Sequence, residues 1–312
     1  MRPSNAALLV SLAALSACRS APAPLPPAPP VVAKPSAPAV PPPVPRIALV
    51  LGGGAARGFA HVGVIRALEQ EKIPIDLVVG TSVGSLIGAI YAADADSFEL
   101  EWTAFTLGKD DLLDYGIASA VVGMGLAKGD KLEQFVRTRV KTGDIEKLKI
   151  PFAAVATDLN WGTKVVLDRG SVARAVRASS AIPGVFQPVQ HMGKLLVDGG
   201  VVDNIPISVA RAKGADIVIA VDISEALGNT NITNLLDVTL QATNIMFALN
   251  VEHSKRDADV LIAPAVGDVA MLDFTQKKRC MQAGIDATRR AVPAIRKAIA
   301  GWVASRTAAR AP

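Results

Sequence analysis

Gly80-Thr81-Ser82-Val83-Gly84 follows the apolar run Leu77-Val78-Val79 and precedes a helix-like stretch from Leu86 to Ala93. A strand, a tight turn and a helix in that order form a nucleophile elbow. The chain doubles back sharply and lifts the serine hydroxyl clear of the backbone, which requires small flanking residues. Glycines stand at both flanks here, and the helix beyond them aims its N-terminal N–H groups toward Ser82. Taken alone, the pentapeptide also fits an ordinary strand-to-helix turn.

One strand earlier, Ile47 to Leu51 runs into Gly52-Gly53-Gly54-Ala55-Ala56-Arg57-Gly58. Three consecutive glycines let backbone N–H groups point into one space with no side chains in the way. Such a loop cradles a pyrophosphate in a dinucleotide-binding fold, or an oxyanion in an acyl hydrolase. The spacing gives no clean G-x-G-x-x-G, because the third position counted from Gly53 is Ala55. Asp76 keeps the nucleotide reading open, but the elbow one strand later favours the hydrolase. Further on, Asp198 ends the run Lys194–Val197 and is followed by Gly199 and Gly200, so its carboxylate can project into a crevice. By itself this is also a turn between two strands.

Apolar runs at Phe152–Val155, Val165–Leu167, Leu195–Val197, Ile217–Val221 and Val260–Ile262 read as further strands. Helical periodicity falls at Phe59–Gln70 and near 131–140, 171–179, 206–213, 231–254 and 276–304. This alternation predicts an α/β sandwich with a mostly parallel central sheet. The last helix is amphipathic with many basic residues. It reads as a core-packing helix with a basic outer face, the alternative being a membrane-surface helix.

The amino-terminal part has a different composition. Arg2, the apolar Ala6–Leu15 and Leu15-Ser16-Ala17-Cys18 predict a signal peptide over 1–17. The last four of these residues resemble a bacterial lipobox, in which Cys18 is lipidated. Arg19 after the cysteine resembles lipoproteins sorted to the outer membrane, so a lipid-anchored place in a bacterial cell envelope is expected. Residues 18–45 read as a tether, with twelve of the 21 prolines between 20 and 45. As polyproline II this stretch could span roughly 80 Å. Residues 46–312 then form one large domain. Setting aside Arg2, Arg19 and Lys34, that domain holds 30 basic and 28 acidic residues, a balance that does not argue for nucleic acid. Lipidation of Cys18 leaves Cys280 as a buried, inert thiol. Neither cysteine has metal-ligand spacing to the three histidines, so no metal or cofactor is expected.

The glycine loop ending in Arg57-Gly58, the Gly-Thr-Ser-Val-Gly elbow and Asp198-Gly199-Gly200 together resemble the signatures of the patatin-like phospholipase family, in order and spacing. Ala60-His61-Val62-Gly63-Val64, Ser180-Ala181-Ile182-Pro183 and Asn204-Ile205-Pro206 extend the likeness over about 46–220. The resemblance implies a three-layer sandwich and a serine–aspartate dyad. In it Ser82 attacks an ester carbonyl and Asp198 is the general base. Gly53, Gly54 and Ala55 would donate to the oxyanion, although Ala55 stands where bacterial members often carry glycine. Arg57 would bind a phosphate head group or brace the loop, with a structural ion pair as its plainer role. The implied substrate is a phospholipid or another acyl ester, and a transacylase or a lipid-binding surface protein are the alternatives. A histidine triad would need His253, which comes after Asp198 and so fits the Ser…Asp…His order. Its neighbours Glu252, Ser254, Lys255 and Arg256 suggest a solvated helix face instead. An aspartate base also implies an acidic limb in activity with no imidazole titration.

Overall fold

Strands of mostly apolar sequence need cover on both faces. In a computed structural model, which describes residues 42–114, 125–224, 227–228, 232–271 and 273–309, four such strands form the centre of one sheet. They are β1 (Ile47–Leu51), β2 (Leu77–Thr81), β4 (Phe152–Asp158) and β9 (Ile217–Val221), and every residue in them is buried. The other strands are β3 (Gly125–Ala127), β5 (Thr163–Leu167), β6 (Gly184–Phe186), β7 (Val189–His191), β8 (Lys194–Asp198) and β10 (Val260–Ile262). The main sheet runs β10-β9-β1-β2-β4-β8-β7, with β5 also on β4. From β10 to β4 all pairs are parallel; β5, β8 and β7 pair antiparallel. The strands called from sequence are all present, and the mostly parallel α/β sandwich is observed. The small sheet of β3 and β6 was not foreseen.

Alternation along the strands divides the core in two. Ile47, Leu49 and Leu51 face one cluster, while Ala48 and Val50 face the other. The first side is covered by α1 (Phe59–Gln70), α2 (Val83–Asp94) and the long final helix α8 (Lys277–Ala308). The second side is covered by α6 (Ile207–Ala212) and the end of α7 (Leu235–Ser254), through Val209, Ala210 and Val251. Three further helices complete the chain: α3 (Ser97–Thr106), α4 (Asp130–Arg139) and α5 (Val172–Ser179).

The final helix lies against α1, and their backbones meet closely. A Cβ on Gly63 would stand 1.9 Å from the Met281 carbonyl oxygen, and one on Gly284 would stand 2.1 Å from that of Ala60. Cys280, Met281, Val292 and Ile295 are buried at this contact, whereas Arg289, Arg290, Arg296 and Lys297 are exposed. The helix is therefore a core element with a basic outer face. Burial raises the pKa of the Cys280 thiol, which suits an inert role. Among the described residues, no helix is long and apolar enough to cross a membrane. The predicted signal, Cys18 and most of the tether lie outside the described residues.

The position of β8 sets up the site. Residues 154 and 155 of β4 pair with both β2 and β5, so those strands lie on opposite edges. Residues 156–158 pair with both β5 and β8. Hence β8 continues the edge that β2 occupies, running in the opposite sense. Thr81 is opposite Val155 and Asp198 is opposite Ala156. The two strands meet end to end, which brings Ser82 beside Asp198.

Candidate active site

Ser82 caps α2 with φ 55° and ψ −127°, a left-handed conformation that side chains adopt only under constraint. Its neighbours have no room for a side chain. A Cβ on Gly84 would stand 2.1 Å from the Leu51 carbonyl oxygen, and one on Gly80 would stand 2.4 Å from that of Gly84. The elbow is thus wedged between β1 and its own helix. The Ser82 N–H donates to Ser179 Oγ at 3.0 Å, and Ser179 Oγ donates to the Val155 carbonyl at 2.6 Å. Ser179 ties the turn to the central strand, a role with no signal in the sequence.

Asp198 is fully buried. Its backbone N–H donates to Ala181 O, and its carbonyl accepts from Thr157 Oγ1 at 2.8 Å. On the side chain, Oδ1 accepts from the Gly200 N–H at 2.8 Å, whereas among the described residues Oδ2 has no hydrogen-bond partner. Burial dominates the electrostatics and pushes the carboxyl up to about 7, against the smaller opposing pull of the Ser82 hydroxyl and the Gly200 N–H. The Ser82 hydroxyl thus holds the carboxyl below where burial alone would put it, although among the described residues no hydrogen bond to Oδ2 is formed.

No imidazole takes part in this pair. His61 is buried, and because a carbonyl only accepts, its Nε2–H donates to Gly52 O at 2.8 Å. Burial lowers its pKa to about 4, so the ring is neutral and braces the glycine loop. His253 is on the exposed side of α7, and His191 ends β7. The solvated position expected of His253 agrees with the structure.

The glycine loop departs in part from expectation. The Gly53 N–H donates to both the carbonyl oxygen of Asn204, at 3.3 Å, and its Oδ1, at 3.1 Å. This donor is occupied and does not serve an oxyanion in this conformation. Among the described residues, no acceptor takes the N–H of Gly54 or Ala55. Ala55 has φ 49°, the backbone shape glycine would adopt more cheaply, so the loop keeps its form despite the alanine. Arg57 also differs from its expected substrate role. It is 1% exposed, and its Nη1 donates to Val269 O at 3.4 Å. Its guanidinium braces the loop from within, and no head group could reach it.

An apolar cavity opens beside Ser82. Its walls include Phe59, Leu86, Ile87, Leu107, Leu132 and Phe186, and Phe274 meets Phe59 edge to face at 5.7 Å. Ala55 and Val83 also reach it. Among the described residues, the only polar side chains in the lining are those of Ser82 and Ser180. Such a space suits a hydrocarbon chain that enters with one polar group at the serine. Among the described residues, no cluster of side chains could hold a metal ion.

Comparison with known proteins places this geometry in context. Residues 49–211 match the family model described as patatin-like phospholipase. An uncharacterised NTE family protein of Mycobacterium tuberculosis is 37% identical over 222 residues, covering 68% of this chain and 61% of that protein. Lysophospholipase NTE1 of Mycosarcoma maydis is 40% identical over 179 residues, covering 57% of this chain and 10% of that protein. The chain thus spans less than two thirds of the length of these relatives. Among solved structures, VipD from Legionella pneumophila shares the fold, with a TM-score of 0.54 at 16% identity over 80% of this chain and 66% of that one.

Proposed function

Since the chain belongs to the patatin-like phospholipase family, we propose that it is a lipid acyl hydrolase working through Ser82 and Asp198. The observation that carries this reading is the strained elbow serine at an apolar cavity, beside a buried carboxyl with a pKa of about 7. A base poised near the working pH can both take and return a proton.

In the proposed cycle, ionised Asp198 accepts the Ser82 hydroxyl proton as Oγ bonds to the ester carbonyl carbon. The carbonyl π electrons move onto oxygen, where the N–H groups of Gly54 and Ala55 hold the negative charge. Collapse re-forms the carbonyl and breaks the bond to the alkoxy oxygen, which leaves as an alcohol with the proton from Asp198. Water then repeats the sequence on the acyl-enzyme. Asp198 deprotonates it, the new C–O bond forms, and Ser82 regains its proton as the fatty acid departs. The apolar cavity receives the acyl chain, so the substrate is a phospholipid, lysophospholipid or related acyl ester.

The lipobox-like Leu15–Cys18 further supports a membrane tether. Lipidation at Cys18 would keep the hydrolase domain beside a membrane, in a bacterial envelope and on its outer membrane. A single acyl chain binds only marginally, so stable retention implies more than one.

The direct test of the hydrolase is a fluorophosphonate, which bonds covalently to an activated serine. It should label Ser82, and the same chain should hydrolyse nitrophenyl esters. A chain that does neither would refute the proposal.

A further inference from the structure

Ser180 is 7% exposed, and among the described residues its Oγ has no hydrogen-bond partner. A buried hydroxyl left without a partner costs about 1–3 kcal/mol. This one lies in the lining of the same cavity as Ser82, where every other described side chain is apolar. Its neighbours in sequence have a common purpose. Ser179 Oγ accepts from the Ser82 N–H, and the Ala181 carbonyl accepts from the Asp198 N–H at 3.0 Å. The segment Ser179-Ser180-Ala181 thus fastens nucleophile and base with its outer residues, while its middle residue reaches the substrate cavity.

We infer that Ser180 is a substrate-contacting residue whose hydroxyl hydrogen-bonds the ester of the bound acyl chain. The inference rests on the hydrolase reading above. An acyl chain offers the cavity only hydrocarbon, and the ester beside Ser82 is the one polar group that must enter with it. That ester has two oxygens. The N–H groups of Gly54 and Ala55 can serve one of them, which leaves an acceptor for Ser180. A hydroxyl fixed at this point by the strap that holds the dyad would align the ester without being part of the proton transfer. It would also select against chains that enter the cavity with no polar group at that depth.

The test is Ser180→Ala in the full-length chain, with a nitrophenyl ester and a fluorophosphonate as probes. Alanine fits wherever serine does and removes the unpartnered hydroxyl. The thermal midpoint should hold or rise, kcat/KM for the ester should fall about tenfold, and the midpoint of the acidic limb should stay at its wild-type value. A purely structural serine behaves otherwise. Its loss would lower the thermal midpoint or displace the limb by moving Asp198, and either result overturns the inference. So does a kcat/KM within twofold of wild type while the wild-type chain is labelled at Ser82. Failure of the wild-type chain to be labelled refutes the hydrolase reading itself, and this inference with it.

Discussion

Replacing Asp198 by asparagine should cost activity and yet gain stability, and the gain should depend on pH. The unfolded carboxyl ionises near 3.8 and the folded one near 7. Because the folded pKa is raised, the folded chain binds more protons than the unfolded chain between these values. Stability from this group therefore falls as pH rises from about 4 to about 7, and the penalty is fully present above that range. At about 1.4 kcal/mol per pH unit, the whole effect is about 4 kcal/mol. Asparagine carries no charge at any pH, so it escapes the penalty. It also brings a buried amide with its own hydrogen-bond cost, but that cost does not vary with pH. Urea titrations of both chains from pH 4 to pH 8 should thus show the variant gaining on the wild type by about 4 kcal/mol across the range. A difference that stays flat would refute the assignment of Asp198 as a buried carboxyl neutral at low pH. In the same range, wild-type kcat/KM should rise about tenfold per unit below pH 7 and then level off, with Asp198→Asn near background throughout. The limb falls where an imidazole also titrates. A pH profile alone therefore does not separate dyad from triad, contrary to the sequence-based expectation.

Other expectations follow from the same geometry. Ser82→Ala should abolish fluorophosphonate labelling and hydrolysis with little change in urea midpoint, whereas His253→Ala and His191→Ala should keep near wild-type turnover; a dead, folded His253→Ala would overturn the dyad. Gly63→Ala should lower stability by about 3 kcal/mol in denaturant titration, since its methyl would collide with the Met281 carbonyl. An unaltered midpoint there would mean that the α1–α8 contact is not close-packed. If Cys18 is lipidated, Cys18→Ser should move the protein from the membrane to the soluble or unprocessed fraction. Wild-type protein found soluble with an unmodified amino terminus would exclude the tether.

Where the sequence was legible, local chemistry and tertiary structure agree. The elbow needs small residues at 80 and 84 for the same reason that it can be recognised. The central strands are largely apolar because both of their faces are covered, and Asp198-Gly199-Gly200 ends a strand as expected. Elsewhere the deciding contact is distant in the chain. Arg57 beside a glycine loop reads as an anion ligand, but α8 and the segment through Val269 enclose it. The Gly53 N–H looks available until Asn204, 151 residues later, occupies it. Ser179 and Ser180 are ordinary residues at a helix end, and only the cavity and the elbow give them separate roles. The helix α3 was missed because Phe98, Trp102 and Phe105 are exposed on it, so its apolar pattern does not mark a core face. Its start is set instead by Asp96, which accepts from the N–H groups of Phe98 and Glu99.

The end-to-end meeting of β2 and β8 makes the site depend on tertiary closure. The serine turn leans on Ser179, 97 residues later, and the carboxylate beside it is in place only when β8 closes on the last three residues of β4. On the proposed mechanism, a half-folded chain would carry the serine without its base and so could not attack an ester. The same arrangement makes β8 a built-in fuse. It is held on one side by that short stretch of β4 and on the other by the three-residue β7, so it can detach at less cost than the central strands. On warming, hydrolysis should fade before the parallel sheet melts, with turnover falling at a lower temperature than the far-ultraviolet signal.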